Sequence, residues 1–405
     1  MNFLKEFPDV ETLMRIGGDI EIPNVNGHIH TPYSFSSFDR ISQIFDLAKD
    51  EEVEVLGIND FFVSDGFNEF YSFAVKNGVF PLFNVEFIGL IPELQRRNVT
   101  INDPSNPGRI YFSGKGLNYP YRVSEENKQF LEELIKESQK QVAKMIEKVN
   151  YLLQAIYPEM NLTYDEVKEK YAKELVRERH IAKAIRILVD ENYPKMSGKR
   201  MFYTELFDIE PKANPEDIPA IENEIRSRLL KAGGLAFVPE SPASFPAVDR
   251  IKEYILDAGG IPCYPVLLDD RKGNLITGFE SDWEQMDERL KTMNVHMLEL
   301  IPSRNSVEKL REFVKFFTRK GYVVSLGSEH NTPGIFPLEV KIDGEHELPE
   351  DLKKVSYEGA CVIAAHQYLK TNGLEGFVTP DGNRTGKSLE DLKALGNAVI
   401  KELIA

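Results

Sequence analysis

Seven short runs rich in β-branched and aromatic residues recur along the chain, several of them separated by segments of helical periodicity. The runs are NVNGHIH (24–30), VEVLGIND (53–60), VFPLFNVEF (79–87), RIYFSGKGL (109–117), GGIPCYPVLL (259–268), VHMLELIP (295–302) and YVVSLGSEH (322–330). Helical patterns occupy 41–51, 246–259 and 307–321. This alternation predicts βα units around a mostly parallel sheet, an α/β fold. Two stretches interrupt it. Residues 92–107 carry Asn, Asp and Pro as turn formers and read as a loop. Residues 124–233 read as helix after helix, an all-α insertion between two strands.

Composition narrows the function classes. With 65 acidic against 49 basic residues the formal charge is −16, and no dense basic run is present, which disfavours nucleic acid as a partner. Cys263 and Cys361 lie far apart without metal spacing and read as packed thiols of a reducing compartment. Charges interrupt every apolar stretch of the N-terminus, and no later segment approaches span length, so the expected location is cytoplasmic, away from membranes.

The strand ends carry the chemistry. The last run breaks into Ser328, Glu329, His330 and Asn331, and other runs finish on His28 and His30, Asp60, Glu86 and Glu299. In a βα barrel the C-terminal strand ends converge on one face, so ligands far apart in sequence would meet there. His-x-His puts two imidazoles on one side of a strand, because side chains alternate with a period of two, and carboxylates from other strands could complete a cation site. His180, in the helical segment VRERHIAKAIRIL, reads on its own as a helix-surface histidine. Lys115, in SGKGL, could cradle a phosphate or simply end a strand, and Arg304 is a second candidate anion ligand.

In their order these segments resemble the motifs of the PHP superfamily, named for polymerase and histidinol phosphatase proteins. NGHIHTPYS resembles its opening His-x-His motif, LGINDFFVSDG its Thr-Asp-His motif and FNVEF the motif of the bridging glutamate; RERHIAKAI is similar to its Gly-Arg-Pro-His-Ile-Ala helix. AGGIPCYP and SLGSEHN resemble the last two, Gly-Gly-x-x-x-Ala-His-Pro and Gly-Ser-Asp-x-His. The resemblance implies a distorted seven-stranded, TIM-like βα barrel with up to three divalent ions, usually zinc, manganese or iron, that hydrolyses phosphoesters. It divides the chain into a first barrel part (1–123), the insertion (124–233), a second barrel part (234–340) and a C-terminal helical extension (341–405).

Carried over residue by residue, the resemblance implies metal ligation by His28, His30, Glu86, His180 and Glu329. The family's other ligands are replaced: Phe61 and Tyr264 stand for histidines and Asn331 for the final one, with His330 beside it. One ion is therefore expected, at most two. Tyr264 and Asn331 join Lys115 and Arg304 as candidate substrate contacts, and Asp60 and His330 are the candidates for moving a proton. The expected function is hydrolysis of a small phosphoester by a metal-activated water. Two alternatives stand beside it: a decayed relative that only binds a ligand or partner, and a single-metal hydrolase of non-phosphate substrates.

Overall fold

The computed structural model describes residues 3–16 and 22–404. Its main sheet has seven strands in sequence order: β1 (Asn24–Ile29), β2 (Val53–Phe61), β3 (Phe80–Leu90), β4 (Arg109–Lys115), β5 (Ile261–Pro265), β6 (Met297–Leu300) and β7 (Val323–Leu326). The sheet curls nearly into a barrel. Beyond β7 the chain bridges back to β1: His30 N–H donates to the Glu329 carbonyl at 2.8 Å, and Glu329 N–H to the His28 carbonyl at 2.9 Å.

Pairing is parallel from β1 to β3 and from β5 to β7, but β4 runs antiparallel to both of its neighbours. The expected mostly parallel sheet thus contains one reversed strand. A parallel connection needs a crossover of a dozen or more residues, usually a helix. Between β3 and β4 the chain offers only the five-residue helix Pro92–Arg96 and turns, so β4 returns alongside β3. Its C-terminal residue, Lys115, consequently pairs with Ile261 at the start of β5, away from the end where the parallel strands finish.

The amphipathic helices Ile41–Asp50, Val248–Asp257 and Val307–Arg319 bury one face each against the sheet. The insertion consists of helices Glu125–Ile156, Tyr164–Tyr171, Glu178–Asn192, Met196–Phe207 and Ile218–Ile225, the last running on through a π-type turn to Leu230. Polar caps set their starts: Ser124 accepts from Asn127 N–H, and Thr163 and Glu166 form a capping box. These helices surround an apolar cluster of their own, which includes Val149, Ile185, Tyr203 and Leu229.

Beyond the barrel, helix Glu350–Thr371 lies across β7 and β1 at the seam. Its approach is close enough to demand glycine. A Cβ on Gly359 would stand 2.0 Å from the Val324 carbonyl oxygen, a backbone atom of a buried strand that cannot swing aside. Cys263 and Cys361 are both buried free thiols.

Tyr264 sits on β5 with its ring stacked on Phe279 and its hydroxyl donating to Glu280 at 2.8 Å. Glu280 also accepts the backbone N–H groups of Leu267 and Leu268, yet it is fully buried, and burial outweighs these bonds and raises its pKa to about 7. A carboxyl that is raised on folding binds its proton more tightly in the native state. Its contribution is therefore complete below the unfolded value near 4.5 and lost as pH rises through about 7.

Two expectations follow. Gly359→Ala should destabilise the fold by ~2 kcal/mol or more through overpacking against the strand, read as a lower denaturant midpoint; an unchanged midpoint would contradict the close packing at the seam. Glu280→Gln should flatten the fall in unfolding free energy between pH 4.5 and 7, removing up to about 3 kcal/mol of pH dependence; parallel pH profiles for the two proteins would show that Glu280 titrates normally.

Candidate metal centre

β1 delivers His28 and His30 to the barrel interior on one side of the strand, with Ile29 between them on the other. The two Nε2 atoms are 3.2 Å apart, and His30 Nε2 lies 3.5 Å from Glu86 Oε2 on β3. One ligand atom from each of the three residues falls within 4.8 Å of the others, and all three side chains are buried. Each imidazole has its far nitrogen backed by oxygen. His28 Nδ1 is 2.9 Å from Glu299 Oε2, and His30 Nδ1 is 3.3 Å from Ser34 Oγ and 3.9 Å from Asp60 Oδ1. Two imidazoles and a carboxylate, each imidazole held from behind, fit a divalent ion such as zinc or manganese by donor chemistry.

The charges around this group are unevenly matched. Burial would raise Glu299, but the neighbouring His28 and Lys115 reverse the effect and bring its pKa down to about 2. Burial likewise opposes ionisation of Glu329, which the Arg304 guanidinium overcomes, holding it below the usual carboxylate range. Glu86 has no lysine or arginine at ion-pair distance among the described residues, only the His30 imidazole at 3.5 Å. Burial, with Glu329 and Glu299 adding repulsion, pushes it well above that range.

Glu329 reaches the mouth through an unusual turn, in which Glu329 and His330 take φ of 71° and 55°. Its carboxylate is gripped by both ends of the Arg304 guanidinium, one contact being 2.8 Å, and accepts from Asn331 Nδ2 at 2.9 Å. Arg304, Asn331 and Glu329 all line the cavity above His28 and Glu86. His330 does not. Its ring is sandwiched between Phe38 and Phe336 and bonded to Ser328 Oγ and the Phe336 carbonyl, and burial lowers its pKa to about 4.

Asp60 is also turned aside. Asn59 and Phe61 share the inward side of β2, so Asp60 takes the opposite one. There it accepts from Thr31 N–H at 2.8 Å and from the Thr31 and Ser34 hydroxyls, bracing the loop after His30. His180 is buried within its helix, its Nδ1 accepting the Arg177 N–H at 2.9 Å and its ring edge-on to Phe35; burial, then Lys183 and Arg177, lower its pKa to about 3. It does not join the His28, His30 and Glu86 group. Lys115 lies beneath the site, fully buried, and Tyr264 faces Glu280 as described; neither lines the cavity.

The cavity has a volume of about 360 Å³ and a basic wall that sequence reasoning did not find. The insertion contributes Arg177, Arg179, Arg226 and Lys231, and Arg304 stands opposite. Arg226 bonds Glu178 at 2.9 Å but leaves its buried Nε without a partner. Arg177 lies over the Phe61 ring at 4.7 Å, and that ring stacks on His30. Neither Arg179 nor Lys231 forms an ion pair among the described residues, and burial together with neighbouring guanidinium charge lowers the pKa of both. A signal was present in the arginines flanking His180, but at a net charge of −16 they do not stand out. Glu299 and Asn59 also belong to the site.

Residues 26–207 match the sequence profile of the PHP domain. No curated protein matches the chain by sequence. Among solved structures, a candidate metal-dependent phosphoesterase from Bifidobacterium adolescentis superposes with a TM-score of 0.53 at 14% identity, over 83% of this chain and 96% of that one. An amidohydrolase from Chromobacterium violaceum, solved with bound sulfate and no metal, gives 0.52 at 15% identity over 81% and 92%. At such identity the two structures speak for the fold. The profile match identifies a PHP domain over residues 26–207, and the seven-stranded barrel accords with it.

Proposed function

We propose that this protein is a metal-dependent hydrolase of a small phosphoester, with one divalent ion held by His28, His30 and Glu86. The observation that carries the reading is the cavity: His28 and Glu86 of the convergent group line it, and of its five basic side chains Arg179 and Lys231 have no ion-pair partner among the described residues. Basic groups not answered by the chain's own carboxylates favour an anion, and guanidinium groups match phosphoryl oxygens with paired N–H donors. The neighbour with bound sulfate and the one described as a candidate phosphoesterase accord with this.

When bound, the ion supplies Lewis acidity toward a phosphoryl oxygen and an activated water. The chain's own residues do the rest. Arg179 and Lys231, without carboxylate partners, hold the substrate's anionic oxygens against the cavity wall. Arg177, braced on Phe61, keeps positive charge close to His30. Phe61, stacked on His30, covers that imidazole on the cavity side.

The charge pairing supports a single ion. Of the three carboxylates facing the site, Glu299 is neutralised by Lys115 and Glu329 by Arg304, which leaves Glu86 to answer a cation. Glu329 is accordingly assigned to holding Arg304 and Asn331 in place.

Purified protein titrated with zinc or manganese should bind close to one ion per chain. His28→Ala and Glu86→Ala should each abolish both bound metal and hydrolysis of phosphomonoesters. Arg179→Ala should leave metal content unchanged and raise KM at least tenfold, about 1.4 kcal/mol or more. Three tightly held ions would defeat the single-ion assignment. One ion with no turnover across a broad phosphoester panel would defeat the hydrolase reading and leave a binding protein.

A further inference from the structure

We infer that Lys115 and Glu299 are positioning residues of the metal centre, which hold His28 so that its Nε2 is the nitrogen presented to His30 and Glu86. The inference rests on the reading of those three side chains as ligands.

Glu299, near the end of β6, uses its two oxygens differently. Oε2 lies 2.9 Å from His28 Nδ1, while Oε1 takes the Lys115 ammonium. Lys115 also donates to Asn59 Oδ1 at 3.1 Å, and the amide nitrogen of Asn59 rests 3.0 Å from His28 Nε2 and 3.2 Å from Nδ1. All four side chains are buried.

Stability does not account for such a pair. Desolvating a lysine and a glutamate costs about as much as their attraction returns, and an apolar pair of the same volume commonly serves at least as well. Orientation does account for it. An imidazole that gives its Nδ1–H to a carboxylate has a fixed tautomer and a fixed ring plane, and it offers a cation its Nε2 lone pair, against which the Asn59 amide rests. A carboxylate that accepts from an imidazole must itself be kept from rotating or from turning to the cation, and Lys115 does this from below. It can do so because β4 is reversed: a lysine at the end of a parallel strand would stand at the mouth. Glu299 and His28 line the cavity and Lys115 does not, so Lys115 acts on the centre without touching substrate.

Zinc titration in competition with a chromophoric chelator, and the visible spectrum of the cobalt-loaded protein, test this in Glu299→Gln and in the double variant Lys115→Met/Glu299→Gln, which removes both charges at similar volume. Each folded variant should bind zinc 10- to 100-fold more weakly and show an altered cobalt spectrum. Zinc affinity within twofold of the parent and an unchanged spectrum in either folded variant would overturn the inference. Should both variants fail to fold, the ring ¹⁵N resonances of His28 in the zinc-loaded parent decide: an Nδ1–H tautomer is expected, and an Nε2–H tautomer overturns it. A parent protein that binds neither zinc nor cobalt would instead bring down the reading of the centre, and this inference with it.

Discussion

The seam between β1 and the segment after β7 is the constraint on which the site depends. Two backbone hydrogen bonds join residues 28–30 to Glu329, so chain segments some three hundred positions apart become neighbours. The contact leaves no room for a side chain at Gly327, where a Cβ would stand 2.4 Å from that of His28. It also draws Glu329 and His330 into the left-handed region, a cost that surrounding contacts must offset. Closure thereby sends Glu329 into the mouth and His330 into an aromatic sandwich outside it.

The reversed β4 is the second determinant. In a barrel of uniformly parallel strands every strand would end at the mouth and offer its last side chains to substrate. Here one strand ends beneath the centre, and a lysine comes up from below to meet Glu299. The interior thus acquires an amino group of its own close to the His28, His30 and Glu86 group. Arg304 plays a comparable part at the rim by holding Glu329. Two of the carboxylates that could have attracted ions are already answered by the chain.

Charge is distributed on two scales. The molecule is acidic overall, which suits solubility and repels polyanions at long range, while the helical insertion turns a basic face toward the cavity. Arg179 and Lys231 are held among other cations at some cost to their own protonation. An anionic ligand small enough to enter would relieve that repulsion, whereas an extended polyanion would first meet the acidic exterior.

Much of this was legible in the sequence. All seven strands, the insertion between the fourth and fifth, and the pairing of His28 with His30 follow from local periodicity, because alternation and helical spacing are properties of neighbouring residues. The convergence of Glu86 on that pair was readable once strand ends were expected to meet. Other matters rested on relations no local pattern encodes. The direction of β4 depended on the lack of a crossover helix and decided that Lys115 meets Glu299 rather than substrate. The alternation phase of β2 put Asp60 behind the loop after His30, and that of β5 put Tyr264 on Glu280. Sequence alone determined which chemical groups the chain owns and which strand or helix carries each; the tertiary structure decided that Glu299 and Glu329 meet a lysine or arginine of the chain while Glu86 meets none among the described residues, because ion pairing depends on distances that only the closed barrel sets.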